Sequence, residues 1–334
     1  MSLKIAILGF GLTGRLTALA LSKVHQVSVY EQDDQHAANS AGNVAAAMLA
    51  PLAESVLCEQ DIALQGLASI QRWQQIISEL DEPVYFQQAG SLVVAHQQDK
   101  GDLHSFISRL KPLAEHTADT VSSAQIADLE PELAGRFHQG VYLPCEGQLD
   151  NQAFYAASYN QLVARQVSFN WHSHITLTGH KVNGQSYDFV FDCRGLGAKT
   201  ALPSLRGVRG EVARLYAPEV NLSRPVRLMH PRYPIYIAPK PNHQFVIGAT
   251  EIESHDTGKV TVRSALELLS AAYTVHSGFA EARIESLQSG LRPAFADNRP
   301  QVTREGRVIS LNGLYRHGYL LAPYVVDEAI SLMA

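Results

Sequence analysis

Cysteine is scarce in this chain: three residues, Cys58, Cys145 and Cys193, far apart and odd in number. That excludes a disulfide framework, and without a C-x-x-C pair there is no zinc or thiol-exchange motif. A reducing cytoplasm is the expected compartment. Strong charge is also missing. Lys and Arg total 27 against 32 Asp and Glu, with a formal charge of -5 and a pI near 6.3. No basic block interrupts the chain, which argues against a surface that holds nucleic acid by charge. No apolar run suits a membrane span. The best candidate, residues 5–21, is broken by Arg15 and three glycines, and it lacks the basic start and small-residue cleavage site of a signal peptide. The fourteen histidines show no metal-ligand spacing, so no metal is expected. Internal repeats, low-complexity tracts and exposed linkers are absent too.

What is present is globular: 46% apolar and 18% charged residues, outside the range of disordered chains. A length of 334 residues exceeds what one hydrophobic core usually supports, so two domains are expected. Residues 3–8 read as a strand, Gly9-Phe10-Gly11-Leu12-Thr13-Gly14 as a tight loop, 15–24 as a helix, and 26–30 as a second strand ending at Glu31. This is a βαβ unit of ~30 residues, the length of a dinucleotide half-fold. The first glycine permits the turn, the second lets backbone approach a pyrophosphate, and the third lets helix pack on strand. The helix N-terminus offers free N–H groups and a positive dipole end to phosphate. Glu31 would accept hydrogen bonds from ribose hydroxyls and repel a 2′-phosphate.

Further along, apolar residues at helical spacing predict a helix over 59–80, and a strand is expected at 90–95. Helices follow at 102–110, after Ser122 or Ser123, and at 151–165 behind Asp150 as a cap. Asn183-Gly184 predicts a hairpin between 177–182 and 187–193. Strands at 209–217, 226–231, 233–239 and 244–249 form an antiparallel run, with a tight connection at 240–243. A helix over 261–277, strands at 281–290 and 307–312, and a last helix starting near Pro323 complete the chain. The fold class is α/β: a Rossmann-like nucleotide domain from segments 1–80, 141–205 and 286–334, with an antiparallel-sheet α+β substrate domain, 81–140 and 206–285, inserted into it.

Several segments together carry a resemblance. They are Gly9-x-Gly11-x-x-Gly14 with Glu31, Asn43-Val-Ala-Ala-Ala-Met-Leu-Ala-Pro51, Val246-Ile-Gly-Ala-Thr250, Gly290-Leu-Arg-Pro293, and Gly313-Leu-Tyr-Arg-His-Gly-Tyr-Leu-Leu-Ala-Pro323. The chain resembles the FAD-dependent amine and amino-acid oxidases of the D-amino-acid oxidase superfamily, and most of all the glycine oxidases of thiamine biosynthesis. The resemblance implies FAD. It places Leu12 and Thr13 at the phosphates, Glu31 and Gln32 at the ribose, and Ile175 at adenine. Ala41, Gly42, Ala46, Ala47 and Met48 fall along the pyrophosphate and flavin ring, and residues 314–320 (Leu314, Tyr315, Arg316, His317, Gly318, Tyr319 and Leu320) over the pyrimidine edge. Arg292 matches the arginine that pairs with a substrate carboxylate, Tyr236 a tyrosine that hydrogen-bonds it, and Arg316 an arginine beside flavin and substrate.

The implied activity is oxidation of a small amino acid or N-substituted glycine at the C–N bond. Hydride passes to the flavin, the imine hydrolyses, and the electrons go to oxygen or another acceptor. The partner is then a small amine or amino acid, with no nucleic acid or membrane and with a homo-oligomer allowed. Glu251 departs from the pattern, standing where glycine oxidases carry methionine, and points toward a cationic or larger amine. Plainer readings stand beside these: Arg292 tied to a structural carboxylate, Tyr236 as sheet packing, Arg316 as a loop anchor, Glu251 in solvent. Two other functions remain open. One is a tRNA enzyme that removes a carboxymethyl group from a wobble uridine; the other is an FAD-binding protein without amine oxidase activity.

Overall fold

The computed structural model describes residues 2–334. A six-stranded sheet runs in the order Gln301–Glu305, Val308–Asn312, Phe189–Asp192, Lys4–Leu8, Gln26–Tyr30, Ser168–Asn170. All neighbours are parallel except the Gln301–Glu305 edge. The central strands read Ile-Ala-Ile-Leu and Phe-Val-Phe because both faces of a parallel sheet are covered; Ile5, Ala6, Ile7, Leu8, Val190 and Phe191 are fully buried. Helices Leu12–Leu21, Asn151–Ala164 and Gly318–Ser331 share one apolar core with this sheet. No helix among the described residues is long and apolar enough to cross a membrane.

The second, nine-stranded sheet contains Arg206–Tyr216, Val226–Met229, Ile235–Lys240 and Gln244–Gly248. It also takes Ser91–Ala95, Gln139–Leu143 and the whole of Arg283–Ala294, so its strands reach across residues 140–141 and 285–286. Strand alternation sorts its side chains. Ile235 and Ile237 join Leu92, Val94, Ala213, Leu215, Phe245 and Ile247 in the core under helix Val262–Val275. Tyr236 and Ala238 face the other way, where Val212 and Val246 pack against Val44, Ala46 and Met48 of the nucleotide half. That second face is where the two halves meet.

Two expected elements are corrected. Asn183 and Gly184 do turn the chain at positive φ, 48° and 84°, but the hairpin they make is Lys181–Val182 with Gln185–Ser186, joined by Leu177–Thr178. The following residues, Phe189–Asp192, leave it to pair in parallel with Lys4–Leu8. Their unbroken apolar run is better buried in a parallel sheet than on a half-solvated hairpin. The last helix begins at Gly318 and carries Pro323 inside it. Proline has no N–H for the Tyr319 carbonyl one turn back; the Trp73 indole donates to that carbonyl instead, at 2.7 Å.

Candidate active site

A cleft of about 1780 Å³ runs between the sheets from the ends of the parallel strands to the second sheet's inner face. Small-molecule sites commonly hold ~300–1,000 Å³, so this one has room for a dinucleotide and a further ligand. At its first end the chain leaves Leu8 through Gly9, at φ +90°. A Cβ on Gly14 would lie 2.0 Å from the Gly9 carbonyl oxygen, so the third glycine serves the close approach of helix to loop. Gly14 accordingly lies off the cleft wall, while Gly9, Gly11, Leu12 and Thr13 line it. Helix Leu12–Leu21 has no side-chain cap and no acid in its first turn. Its N–H groups and dipole are therefore left for an anion. Glu31 is buried beside it and accepts the main-chain N–H groups of Phe10 at 2.5 Å, Gln32 at 2.7 Å and Asp33 at 3.1 Å. Gln32 and Ile175 complete this end.

Along the middle, Ala41 and Gly42 open the short helix Ala41–Val44, capped by the Ser40 hydroxyl. Asn151 and Tyr319 hold the Gly42 carbonyl at 3.1 and 3.0 Å. Ala46, Ala47 and Met48 follow on the wall, with Ala47 at φ +52°. Lys240, from the opposite sheet, donates to the carbonyls of Ala46 at 2.8 Å and Leu149 at 2.7 Å, and to the Gln148 side chain at 3.1 Å. With no carboxylate among those partners, burial lowers its ammonium to about 7.

At the far end the second sheet presents its inner face. Arg227 stands opposite Tyr236, and Tyr236 opposite Gly248. A Cβ on Gly248 would sit 2.3 Å from the Tyr236 hydroxyl, and one on Gly210 would sit 2.3 Å from the Arg292 guanidinium. Two glycines on neighbouring strands thus clear the space that these two side chains fill. Burial raises the Tyr236 phenol, though Arg292, Arg227 and Arg316 pull it back, so it stays an O–H donor at neutral pH. Both Arg292 Nη atoms donate to the Thr250 carbonyl at 3.2 Å.

The three arginines here differ in their partners. Arg316 pairs with Glu54 at 2.9 Å and Glu251 at 3.1 Å. Arg227 lies 3.5 Å from Glu54, and His317 Nδ1 lies 3.3 Å from it. Burial opposes ionisation of Glu54, but Arg316, His317 and Arg227 outweigh it and hold the carboxyl far below its usual range. Glu54 and Glu251 in turn raise Arg316 against its burial. Among the described residues Arg292 has no carboxylate within ion-pair distance. Glu251 lines the cleft half-exposed and also accepts the Tyr315 hydroxyl at 2.6 Å; burial, and then Glu251, push that phenol up to about 12. It is neither free in solvent nor a free anion in the pocket.

A family model described as DAO, FAD dependent oxidoreductase, matches residues 4–330. The chain belongs to this family of FAD-dependent oxidoreductases. A Rhizobium etli protein that carries the provisional name thiamine biosynthesis oxidoreductase ThiO is 39% identical over 328 residues, 98% of this chain and 95% of its own. Glycine oxidase of Geobacillus kaustophilus is 24% identical, over 96% of this chain and 89% of its own. The solved glycine oxidase of Bacillus cereus shares the fold at a TM-score of 0.83 and 21% identity, covering 99% of this chain and 97% of that one. So does iminodiacetate oxidase of a Chelativorans species, at 0.79 and 20%, covering 97% and 93%.

The cleft of this family member fits FAD: the uncapped helix end would suit phosphate, the fixed Glu31 carboxylate would suit ribose hydroxyls, and a long wall of small residues joins them. Leu314 to Leu320 close it at the other end. Sequence reasoning missed Glu54, Arg227 and Lys240, and named Thr250 only as the end of the Val246–Thr250 segment. Glu54 left a signal, since it is the one charged residue in the stretch 35–58. An acid inside such a run is either exposed or buried against cations.

Proposed function

We propose that the protein uses FAD to oxidise a small amino acid or an N-substituted glycine at its C–N bond. The observation that carries this is Arg292: a guanidinium on the cleft wall, in space cleared by Gly210, braced by a carbonyl and lacking a carboxylate partner. A planar fork held in that way suits two-point binding of a carboxylate. Tyr236 donates its hydroxyl to the same carboxylate. Arg316, neutralised by Glu54 and Glu251, ties the 315–317 turn to the second sheet and stays out of substrate binding. Bound FAD supplies the two-electron acceptor for the carbon that bears the amine; the residues here hold that carbon in register, and such positioning is worth several kcal/mol of barrier. The glycine oxidase and iminodiacetate oxidase relatives support a glycine-like core in the substrate.

The test is anaerobic flavin reduction by glycine and by an N-methyl amino acid. Arg292→Ala should weaken the apparent substrate affinity by about 2–5 kcal/mol, the cost of truncating one partner of a desolvated charge pair. Arg292→Lys should lie between the two, since an ammonium cannot make the two-point contact. FAD content should not change, and amines without a carboxylate should be indifferent to both variants. An unchanged apparent dissociation constant in Arg292→Ala, with FAD intact, refutes the reading.

A further inference from the structure

We infer that Glu211, acting through Thr250, is the positioning device for Arg292. This rests on the reading of Arg292 as the carboxylate-binding residue and extends it to the residues that hold the fork still. Thr250 follows the strand Gln244–Gly248. Its N–H donates to the Glu211 carbonyl at 3.3 Å. Its hydroxyl oxygen accepts the Glu211 N–H at 3.0 Å and lies 3.2 Å from Glu211 Oε2, to which the hydroxyl donates. Three contacts to one residue fix the threonine, and its carbonyl is left to face Arg292. Both Nη atoms of Arg292 meet that one oxygen at 3.2 Å, and Nη1 lies 3.5 Å from the carbonyl of Arg209.

Glu211 is itself immobilised. It is fully buried, and Oε1 accepts Arg209 Nε at 3.0 Å and Nη2 at 2.7 Å. Arg209, 3% exposed, spends its remaining donors on the carbonyls of Asp256 at 2.7 Å and Lys259 at 2.9 Å. The two carbonyls that Arg292 meets thus belong to Arg209, one half of the buried ion pair with Glu211, and to Thr250, hydrogen-bonded to that same Glu211. A guanidinium has five N–H donors; a carbonyl that takes one from each Nη leaves the others for a ligand. Fixing a long side chain before binding removes an entropic cost that binding would otherwise carry. Loss of the threonine hydroxyl also strips the buried Glu211 N–H of its acceptor. Thr250 and Glu211 are positioning residues, since neither touches the ligand in this reading.

The experiment uses the FAD-loaded enzyme and acetate as the carboxylate probe, read by perturbation of the flavin absorbance. Wild type, Thr250→Val, Thr250→Ser and Arg292→Ala are compared, with FAD content and melting temperature recorded for each. Thr250→Val, close to isosteric but without the hydroxyl, should weaken acetate about tenfold. It should raise the apparent dissociation constant for glycine while leaving the limiting rate of flavin reduction much less affected. Thr250→Ser keeps the hydroxyl and should restore acetate binding. Should the valine variant lose its flavin, Thr250→Ala removes the same hydroxyl with less bulk and serves in its place. If Arg292→Ala weakens acetate and neither Thr250→Val nor Thr250→Ala does, the positioning role is overturned while the carboxylate site stands. Serine no better than valine overturns it as well. If Arg292→Ala itself leaves acetate binding intact, the carboxylate reading falls and the positioning role falls with it.

Discussion

Glu146 is fully buried and uses both carboxyl oxygens, accepting the Ala53 N–H at 2.7 Å and the Ser91 hydroxyl at 2.5 Å. Burial pushes it up to about 7, and nearby Glu54 adds to this, against the pull of Arg227, Ser91 and Ala53. An acid whose folded pKa is raised binds its proton in the folded state first. Its stabilising contribution is therefore complete below the ordinary carboxylate range and is lost as pH rises through about 7. Glu54 has the opposite sign: its pKa is depressed, so its contribution is present above the ordinary range and lost only as pH falls below it. The windows do not overlap. Glu146→Gln should flatten the change in unfolding free energy between pH 5 and pH 8 by about 1–3 kcal/mol, measured by urea titration at both values. Equal pH dependence in wild type and variant would take Glu146 out of that window. Arg292 was legible as a residue of the cleft wall because Gly-Leu-Arg-Pro is a compact local pattern. The roles of Glu54, Glu211 and Thr250 were not, because they lie in partners on elements distant in the chain: Arg316 comes back to Glu54 from the entry to the last helix. Glu251 was legible as a cleft residue only; its partners Tyr315 and Arg316 lie in a loop that the sequence alone does not bring to it.

At the scale of elements, the last helix shows how tertiary structure overrides a local rule. Pro323 reads as a helix start, yet the helix begins at Gly318. The carbonyl that proline leaves free is taken by Trp73, fully buried in the helix Gln60–Ser78 and stacked on Tyr319 at 5.7 Å between ring centroids. Trp73→Phe keeps most of the apolar bulk and removes the N–H, leaving a buried carbonyl without a donor. It should cost about 1–3 kcal/mol, read from the urea midpoint by circular dichroism; a loss within measurement error would mean that the carbonyl finds another donor. Elements with strong periodicity were legible: the first βαβ unit, the long helix 60–78, and the alternating strands around Tyr236. The strand Gln301–Glu305 was not, since its polar residues line an exposed sheet edge and supply no apolar alternation. The segment after Asn183-Gly184 misled because a hairpin signal fixes the turn and not the partner of the strand beyond it.

For the whole molecule, the cleft wall is shared by both sheets, and segment 44–48 is packed between the cleft and the second sheet's inner face. FAD bound there should therefore stabilise both halves together rather than the nucleotide half alone. The chain offers a direct way to separate these cases. Of its two tryptophans, Trp73 lies in the core of the parallel-sheet half and Trp171 packs, partly buried, against that core, so their fluorescence follows that half, whereas far-ultraviolet circular dichroism follows both. FAD at about a hundred times its dissociation constant should add ~2.7 kcal/mol to unfolding. The two signals should shift by the same amount and stay coincident in the urea titration, as for one cooperative unit. If the fluorescence transition moves to higher urea and part of the circular dichroism signal stays behind, the second sheet unfolds without regard to the cofactor. The inner face bearing Tyr236 and Arg292 would then be held against the cleft by protein contacts alone, and cofactor loss would leave the carboxylate site built.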